Sequence, residues 1–102
     1  MKQALSQKQL RVQLEQSASD IRVIDIRTKE EFEKRHIPTS ENIPAEILTK
    51  KSGAWDKNST IVCVCNRGHE RSQNGAEQLS ETGFKNVFYL EGGVVGWFEE
   101  LA

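Results

Sequence analysis

Thr60-Ile61-Val62-Cys63-Val64-Cys65 is the stretch of this sequence with the strongest strand character. It is continuous, apolar and rich in β-branched residues, which pack well on a pleated surface. A run without polar alternation is typical of a central parallel strand that is covered on both faces. The stretch therefore predicts the middle of a sheet, with Cys65 at the end of its central strand.

Segments with helical and strand patterns alternate on both sides of this strand. Capping patterns such as Thr28 with Glu31 mark where helices begin, and Gly83 marks where one ends. This alternation predicts an α/β domain with a mainly parallel central sheet and helices on both faces. Ligands of such sheets bind at the carboxyl ends of the strands, where Cys65 lies. The predicted strands cover about residues 21–26, 42–44, 60–65 and 87–90, and the predicted helices about residues 7–16, 29–35, 45–50, 72–82 and 94–101.

Size and composition restrict the possible functions. The chain has 102 residues, a length that suits a single domain, which we predict to cover residues 1–102. Its net charge is -1 and it has no basic stripe, so we expect no nucleic-acid partner. No apolar run approaches the ~18 residues of a membrane span, and the first eight residues lack the apolar segment of a secretory signal. We therefore expect a cytoplasmic protein that does not bind membranes.

The chain has two cysteines, Cys63 and Cys65. A disulfide framework needs more cysteines at wider spacing. Two residues of one strand that point the same way also lie too far apart for a relaxed disulfide. We therefore predict two free thiols, with Cys63 as a packing residue of the core.

The loop after Cys65 carries the residues that favour chemistry. A helix is expected to begin near Arg71 or Ser72, so loop N–H groups and the helix N-terminus can converge on one anion. Together with the cations Arg67 and Arg71, they favour the nucleophilic thiolate of Cys65 over the thiol. Gly68 suits a tight loop that needs a positive φ. We predict Cys65 as the catalytic residue, and as substrate-binding residues Asn66, Arg67, Gly68, His69, Glu70 and Arg71.

Four short motifs in order resemble the rhodanese family, over about residues 4–101. They are Val23-Ile24-Asp25-Ile26-Arg27 followed by Glu31-Phe32 and His36-Ile37-Pro38; Asn42-Ile43-Pro44; the loop from Cys65 to Ser72; and Leu90-Glu91-Gly92-Gly93-Val94-Val95-Gly96-Trp97. The resemblance implies a rhodanese-like domain and a sulfurtransferase that holds sulfur as a persulfide on Cys65. It implies no metal or organic cofactor. The implied partners are a small sulfur-containing anion and a thiol acceptor, which a protein could carry.

This sequence departs from the family pattern in two places. Arg35 stands where a glycine is usual, and Thr39-Ser40-Glu41 replaces the usual Gly-Ala, both away from the thiol. In the loop, Arg71 follows Cys65 by six positions, whereas five are usual in the family. The resulting Cys-x5-Arg-Ser pattern resembles the cysteine-dependent phosphatases and arsenate reductases that share the rhodanese fold, and Glu70 matches the cell-cycle phosphatase pattern. The extra residue widens the loop and could admit a larger oxyanion.

Three functions remain open at this point. A sulfurtransferase would take sulfane sulfur from thiosulfate, polysulfide or a protein persulfide and transfer it to a thiol or to cyanide through Cys65. A phosphatase or arsenate reductase would attack the oxyanion with Cys65 and hold its oxygens with Arg71. A non-enzymatic module would carry sulfur for a partner protein or only bind one. We favour the enzyme that acts as a thiosulfate or persulfide sulfurtransferase.

Other polar and aromatic residues are given structural roles. We expect His36 to cap or pack, and Trp55 and Trp97 to pack. Asp25 either orients the loop through hydrogen bonds or caps the next helix, and we favour the structural role. The charged residues of 29–35 are expected to form a solvated helix face. Cys-x-Cys on a strand is poor ligand spacing, so no zinc site is expected from Cys63, Cys65, His36 and His69.

Overall fold

The sheet has five strands, and β4 lies at its centre. The computed structural model describes residues 3–17 and 20–101. The strand order is β1-β5-β4-β2-β3, and every neighbouring pair is parallel. The predicted parallel α/β architecture is therefore confirmed. In chain order the elements are β1 (Ala4–Leu5), α1 (Gln7–Ser17), β2 (Ile21–Asp25), α2 (Lys29–Lys34), β3 (Glu41–Asn42), α3 (Ala45–Ser52), β4 (Thr60–Val64), α4 (Glu70–Glu81), β5 (Asn86–Leu90) and α5 (Gly93–Leu101).

Helices cover both faces of the sheet, and two apolar cores result. The core against α3 and α4 contains Ile61, Cys63 and Cys65. The core against α1 and α5 contains Val62 and Val64. Successive side chains of a strand point to opposite faces, so the apolar run of β4 serves both cores. Within the two described stretches, no helix has both the length and the apolar character that crossing a membrane requires.

Side chains cap the first two helices, and the sequence predicts the second of these caps. Ser6 Oγ accepts a hydrogen bond from the Gln9 N–H at 3.1 Å, and Gln9 Oε1 accepts one from the Ser6 N–H at 2.9 Å. Thr28 and Glu31 form the same reciprocal pair at the start of α2. These bonds satisfy N–H groups that a helix start leaves without partners. They also fix the position of the Glu31 carboxylate.

The short elements and some boundaries differ from the prediction. β1 was not predicted, because two residues show no periodic pattern. β4 ends at Val64, so Cys65 is the first residue of the loop. Pro44 is the N-cap of α3, and α4 begins at Glu70, slightly earlier than expected. The sequence also predicts that Leu101 packs inward from α5, but its side chain lies outside the described part of the chain.

Asp25 and Arg27 form a buried ion pair beside the point of the sheet where the strand order reverses. The chain passes from β2 to β3 on one side, and β4 pairs with β2 on the other, which is the switch point where ligands of such sheets bind. Arg27 Nη2 lies 2.8 Å from Asp25 Oδ2, and the two side chains are 5% and 1% exposed. Arg27 Nη2 also donates to the Arg35 carbonyl at 2.7 Å. Asp25 therefore holds Arg27, and Thr28 rather than Asp25 caps α2.

This pair generates a stability prediction. We expect Arg27→Met to lower the free energy of unfolding by about 3–5 kcal/mol, because it leaves a buried carboxylate unpaired. Arg22 is the matched control, since it lies on β2 and its ion pair with Glu41 is exposed. We expect Arg22→Met to cost less than about 1 kcal/mol. Urea denaturation of both variants measures the difference, and equal losses would contradict the role of the buried pair.

Candidate active site

Cys65 lies at the base of the loop that joins β4 to α4. The residue is 3% exposed, and its Sγ lies 3.2 Å from Oγ of the buried Ser72. The same hydroxyl lies 3.3 Å from the carbonyl oxygen of His69. A hydroxyl can donate its hydrogen to a thiolate, so Ser72 can stabilise the ionised sulfur. The sequence indicated Ser72 only as the start of a helix, because capping serines are common there.

Two glycines let the loop approach the turn that follows β5. Gly68 has φ 75°, and a Cβ at this position would overlap the carbonyl oxygen of Leu90. Gly93 has φ 58°, and a Cβ there would overlap the carbonyl oxygen of Cys65. Residues with a side chain rarely adopt such φ values. The positive φ predicted at Gly68 is confirmed, and both positions require glycine for the same close contact.

The first turn of α5 holds the loop from behind. The Val94 N–H donates to the Cys65 carbonyl at 2.9 Å, and the Val95 N–H donates to the Asn66 carbonyl at 2.9 Å. Gln7, at the start of α1, donates through Nε2 to two carbonyl oxygens of the adjoining turn at 2.8 and 3.0 Å. The bonds from Val94 and Val95 engage the carbonyl groups at the start of the loop, and those from Gln7 hold the adjoining turn.

The N–H groups of the loop remain available. Over residues 3–17 and 20–101, the N–H groups of residues 66–71 donate to no protein acceptor. Successive N–H groups of this kind form nests that bind anions, and the N-terminus of α4 adds a partial positive charge. The loop borders a cavity of about 310 Å³. A small anion fits in it. The cavity is lined by Cys65, Asn66, Arg67, His69, Glu70 and Arg71.

Hydrogen bonds connect the charged groups around the loop. Both Nη atoms of Arg71 donate to the Glu31 carboxylate, at 3.1 and 3.2 Å. Asn66 Nδ2 donates to the same carboxylate at 3.0 Å, and Asn66 Oδ1 accepts from Arg27 Nη1 at 3.0 Å. The bonds from Arg71 are the main cause that lowers the pKa of Glu31 to about 2, and Glu31 in turn raises the pKa of Arg71. The network therefore extends from the buried Arg27 to the exposed Arg71.

The structure places most of the predicted binding residues around the thiol. All of them line the cavity except Gly68, which is buried against the Leu90 carbonyl. Arg71 differs from the expectation, because its guanidinium is paired with Glu31. Glu31 also differs, since the sequence predicted a solvated helix face there. The capping box located its carboxylate, but nothing in the sequence indicated the contact with Arg71.

The residues expected to have structural roles lie as follows. Cys63 is fully buried, and burial raises the pKa of its thiol to about 12, so it remains protonated. The His36 ring stacks on Phe32, with 3.8 Å between centroids, and Trp97 is 7% exposed in the core. Trp55 packs edge-on against Phe84. A search of the described residues finds no group of three His, Cys, Asp or Glu side chains that could hold a metal ion.

A second cavity of similar size lies on another part of the molecule. Its volume is about 330 Å³. Its lining contains no cysteine, so the cavity at Cys65 is the candidate active site. The second cavity is lined by Arg11, Leu14, Glu15, Pro38, Thr39 and Trp97.

Comparison with known proteins identifies the family. Residues 6–100 match the model of the rhodanese-like domain. The chain is 38% identical over 85 residues to thiosulfate sulfurtransferase GlpE of Shewanella oneidensis, with 83% of each protein covered. It is 32% identical over 81 residues to putative sulfur carrier protein YrkF of Bacillus subtilis, with 79% of this chain and 43% of YrkF covered. A rhodanese-related protein from Thermoplasma volcanium has a similar structure, with a TM-score of 0.82, 28% identity, and 96% and 92% coverage. These similarities support a sulfurtransferase of the rhodanese type, and the chain belongs to the rhodanese-like domain family.

Proposed function

We propose that this protein takes up sulfane sulfur as a persulfide on Cys65 and passes it to a thiol or to cyanide. The observation that carries this proposal is the position of the Cys65 sulfur at the base of a loop whose N–H groups donate to no acceptor among the residues that the structure describes. A persulfide anion has its charge on the outer sulfur, where such N–H groups would stabilise it. The name of the relative GlpE, a thiosulfate sulfurtransferase, agrees with this chemistry.

The proposed reaction consists of two sulfur exchanges. In the first, the Cys65 thiolate attacks the sulfane sulfur of the donor and forms a new S–S bond. The S–S bond of the donor breaks, and its electron pair leaves with sulfite when the donor is thiosulfate or with a thiolate when it is a persulfide. In the second, the acceptor attacks the outer sulfur and releases Cys65 as a thiolate. Bonds and electrons balance in both steps without a metal or an organic cofactor.

Ser72 and the loop N–H groups would act at different stages. Before loading, the negative charge is on Sγ of Cys65, which lies 3.2 Å from the Ser72 hydroxyl. After loading, the charge lies on the outer sulfur, which extends from Cys65 towards the cavity and the N–H groups that border it. A hydrogen bond to a charged group contributes about 1.5–3 kcal/mol, which is enough to affect the rate of attack.

The first prediction concerns the persulfide. Incubation with thiosulfate or polysulfide should add one sulfur atom to Cys65, and mass spectrometry of the intact protein and its peptides should detect it. Cys65→Ser should gain none. Cys63→Ser is the control, because the Cys63 thiol is buried and protonated, and this variant should still take up sulfur. An unmodified Cys65 with every donor, or sulfur on Cys63 instead, would refute the proposal.

The second prediction concerns Ser72. We expect Ser72→Ala to slow loading of Cys65 by about tenfold to a hundredfold, because it removes a hydrogen bond to the attacking thiolate. Ser80→Ala, on the same helix, should load at the rate of the unmodified protein. Stopped-flow loading with excess thiosulfate over a range of pH measures both. Loading of Ser72→Ala at the same rate as Ser80→Ala would show that the hydroxyl has no role.

The phosphatase and arsenate reductase hypothesis has one supporting observation. The cavity is lined by Cys65 and Arg71 in the Cys-x5-Arg spacing, and by Glu70. Arg71 is paired with Glu31, however, so an oxyanion would have to replace this carboxylate before Arg71 could hold it. Hydrolysis of an aryl phosphate that disappears in Cys65→Ser would favour this hypothesis, and the absence of turnover would exclude the phosphatase.

A carrier role is the remaining alternative, and the similarity to YrkF, named a putative sulfur carrier protein, favours it. A carrier would load Cys65 by the same first step but would transfer its sulfur only to a particular protein. Slow transfer to cyanide and small thiols, together with fast transfer to a protein thiol, would indicate a carrier.

A further inference from the structure

Glu31 pairs with Arg71, the cation that would otherwise be available to an incoming oxyanion. Arg71 binds the Glu31 carboxylate with both terminal nitrogens, at 3.1 and 3.2 Å. Asn66, the first residue of the loop after Cys65, adds a third hydrogen bond at 3.0 Å. A carboxylate and the oxygens of a sulfonate or phosphate match the same planar guanidinium. Glu31 therefore takes the place of a bound oxyanion.

The carboxylate is held from its own side as well. The Thr28 N–H donates to Glu31 Oε1 at 3.0 Å, and the Glu31 N–H donates to Thr28 Oγ1 at 3.2 Å. This capping box fixes Glu31 at the start of α2, so that the carboxylate is already placed before Arg71 binds it. Preorganised groups lose less conformational entropy when they pair. The contact is therefore a built feature of the site.

We propose that Glu31 competes with substrate for Arg71, and thereby makes Cys65 accept sulfur from persulfides and polysulfides in preference to thiosulfate. This inference rests on the proposed function, since it assigns a donor class to the same site. It makes Glu31 a residue that determines specificity and does not touch the reacting sulfur.

The leaving groups of the two donor classes explain the preference. Attack on thiosulfate releases sulfite, a dianion whose charge is spread over three oxygens and which a free guanidinium would stabilise bidentately. Attack on a persulfide releases a thiolate, whose charge is on one sulfur and which has no oxygens for Arg71 to bind. Pairing with Glu31 therefore removes stabilisation that only the first reaction needs. The negative charge of Glu31 also repels a dianion more strongly than a monoanion.

The competition should operate at every pH used for an assay. The hydrogen bonds from Arg71, with those from Thr28 and Asn66, lower the pKa of Glu31 to about 2. A carboxyl group with a lowered pKa is protonated only when the pH falls to that value. Glu31 therefore stays ionised over the usual assay range of about pH 5 to 9.

The test compares donors within one protein. Glu31→Gln removes the charge and retains a side chain that can form the capping box. We expect the ratio of kcat/KM for thiosulfate to kcat/KM for a small alkyl persulfide to rise about twofold to fivefold, the upper range for an exposed ion pair. Glu30→Gln is the matched control, with the same charge change at the next, exposed position of α2, and should leave the ratio unchanged. Partial unfolding affects both donors equally and cancels in the ratio.

A binding measurement separates this inference from the proposed function. In the Cys65→Ser background, where no sulfur transfer occurs, calorimetry with thiosulfate should give a Kd that is about twofold to fivefold lower for Glu31→Gln than for Glu30→Gln. An unchanged ratio of donors together with an unchanged Kd would overturn the role of Glu31. Failure of unmodified Cys65 to load with either donor would instead refute the proposed function, and the calorimetric comparison would still decide whether Glu31 competes for Arg71.

Discussion

The close backbone contact between the Cys65 loop and the turn after β5 is the constraint on which the site depends. Gly68 lies against the Leu90 carbonyl, and Gly93 lies against the Cys65 carbonyl, at distances that exclude a Cβ. The Val94 N–H then binds the Cys65 carbonyl at 2.9 Å. With the carbonyl groups at the start of the loop engaged by α5, the N–H groups of residues 66–71 are left for an anion. The chemistry proposed for Cys65 follows from this arrangement.

Two ion pairs of different strength support the loop. Asp25 and Arg27 are buried, and Arg27 reaches Asn66 at 3.0 Å, so this part of the network is fixed by the core. The pair of Arg71 with Glu31 is exposed, with side chains 44% and 31% accessible, and exposed pairs contribute only about 0–1 kcal/mol. A ligand can therefore replace Glu31 at modest cost, whereas it cannot displace Arg27. The site therefore combines a rigid frame with a cation, Arg71, whose carboxylate partner a ligand can replace.

Much of the fold could be predicted because its signals are local. The β-branched run of β4, the capping box of Thr28 and Glu31 and the glycine stops each depend on a few consecutive residues. The loop was predicted for the same reason, since Cys65, Gly68 and the start of a helix follow one another directly. β1 could not be predicted, because two residues give no periodic pattern and the strand is defined by pairing with β5.

The pairing of Glu31 with Arg71 could not be predicted because it depends on the assembled sheet. The two residues are 40 positions apart, and each belongs to a motif with its own local explanation. They meet because the parallel order of β2 and β4 brings the N-termini of α2 and α4 to the same edge of the sheet. Because the sequence does not reveal this contact, the sequence analysis assigned Arg71 to the anion and Glu31 to solvent.

Reactivity of the Cys65 sulfur at neutral pH tests the central claim most directly. In the Cys63→Ser background, the rate of alkylation by iodoacetamide at pH 7 measures the nucleophilic reactivity of the Cys65 sulfur. The account predicts alkylation about tenfold faster than that of free cysteine, as is typical of thiols beside helix N-termini and cations, and slower alkylation when thiosulfate occupies the cavity. Alkylation no faster than that of free cysteine, and unaffected by thiosulfate, would contradict it.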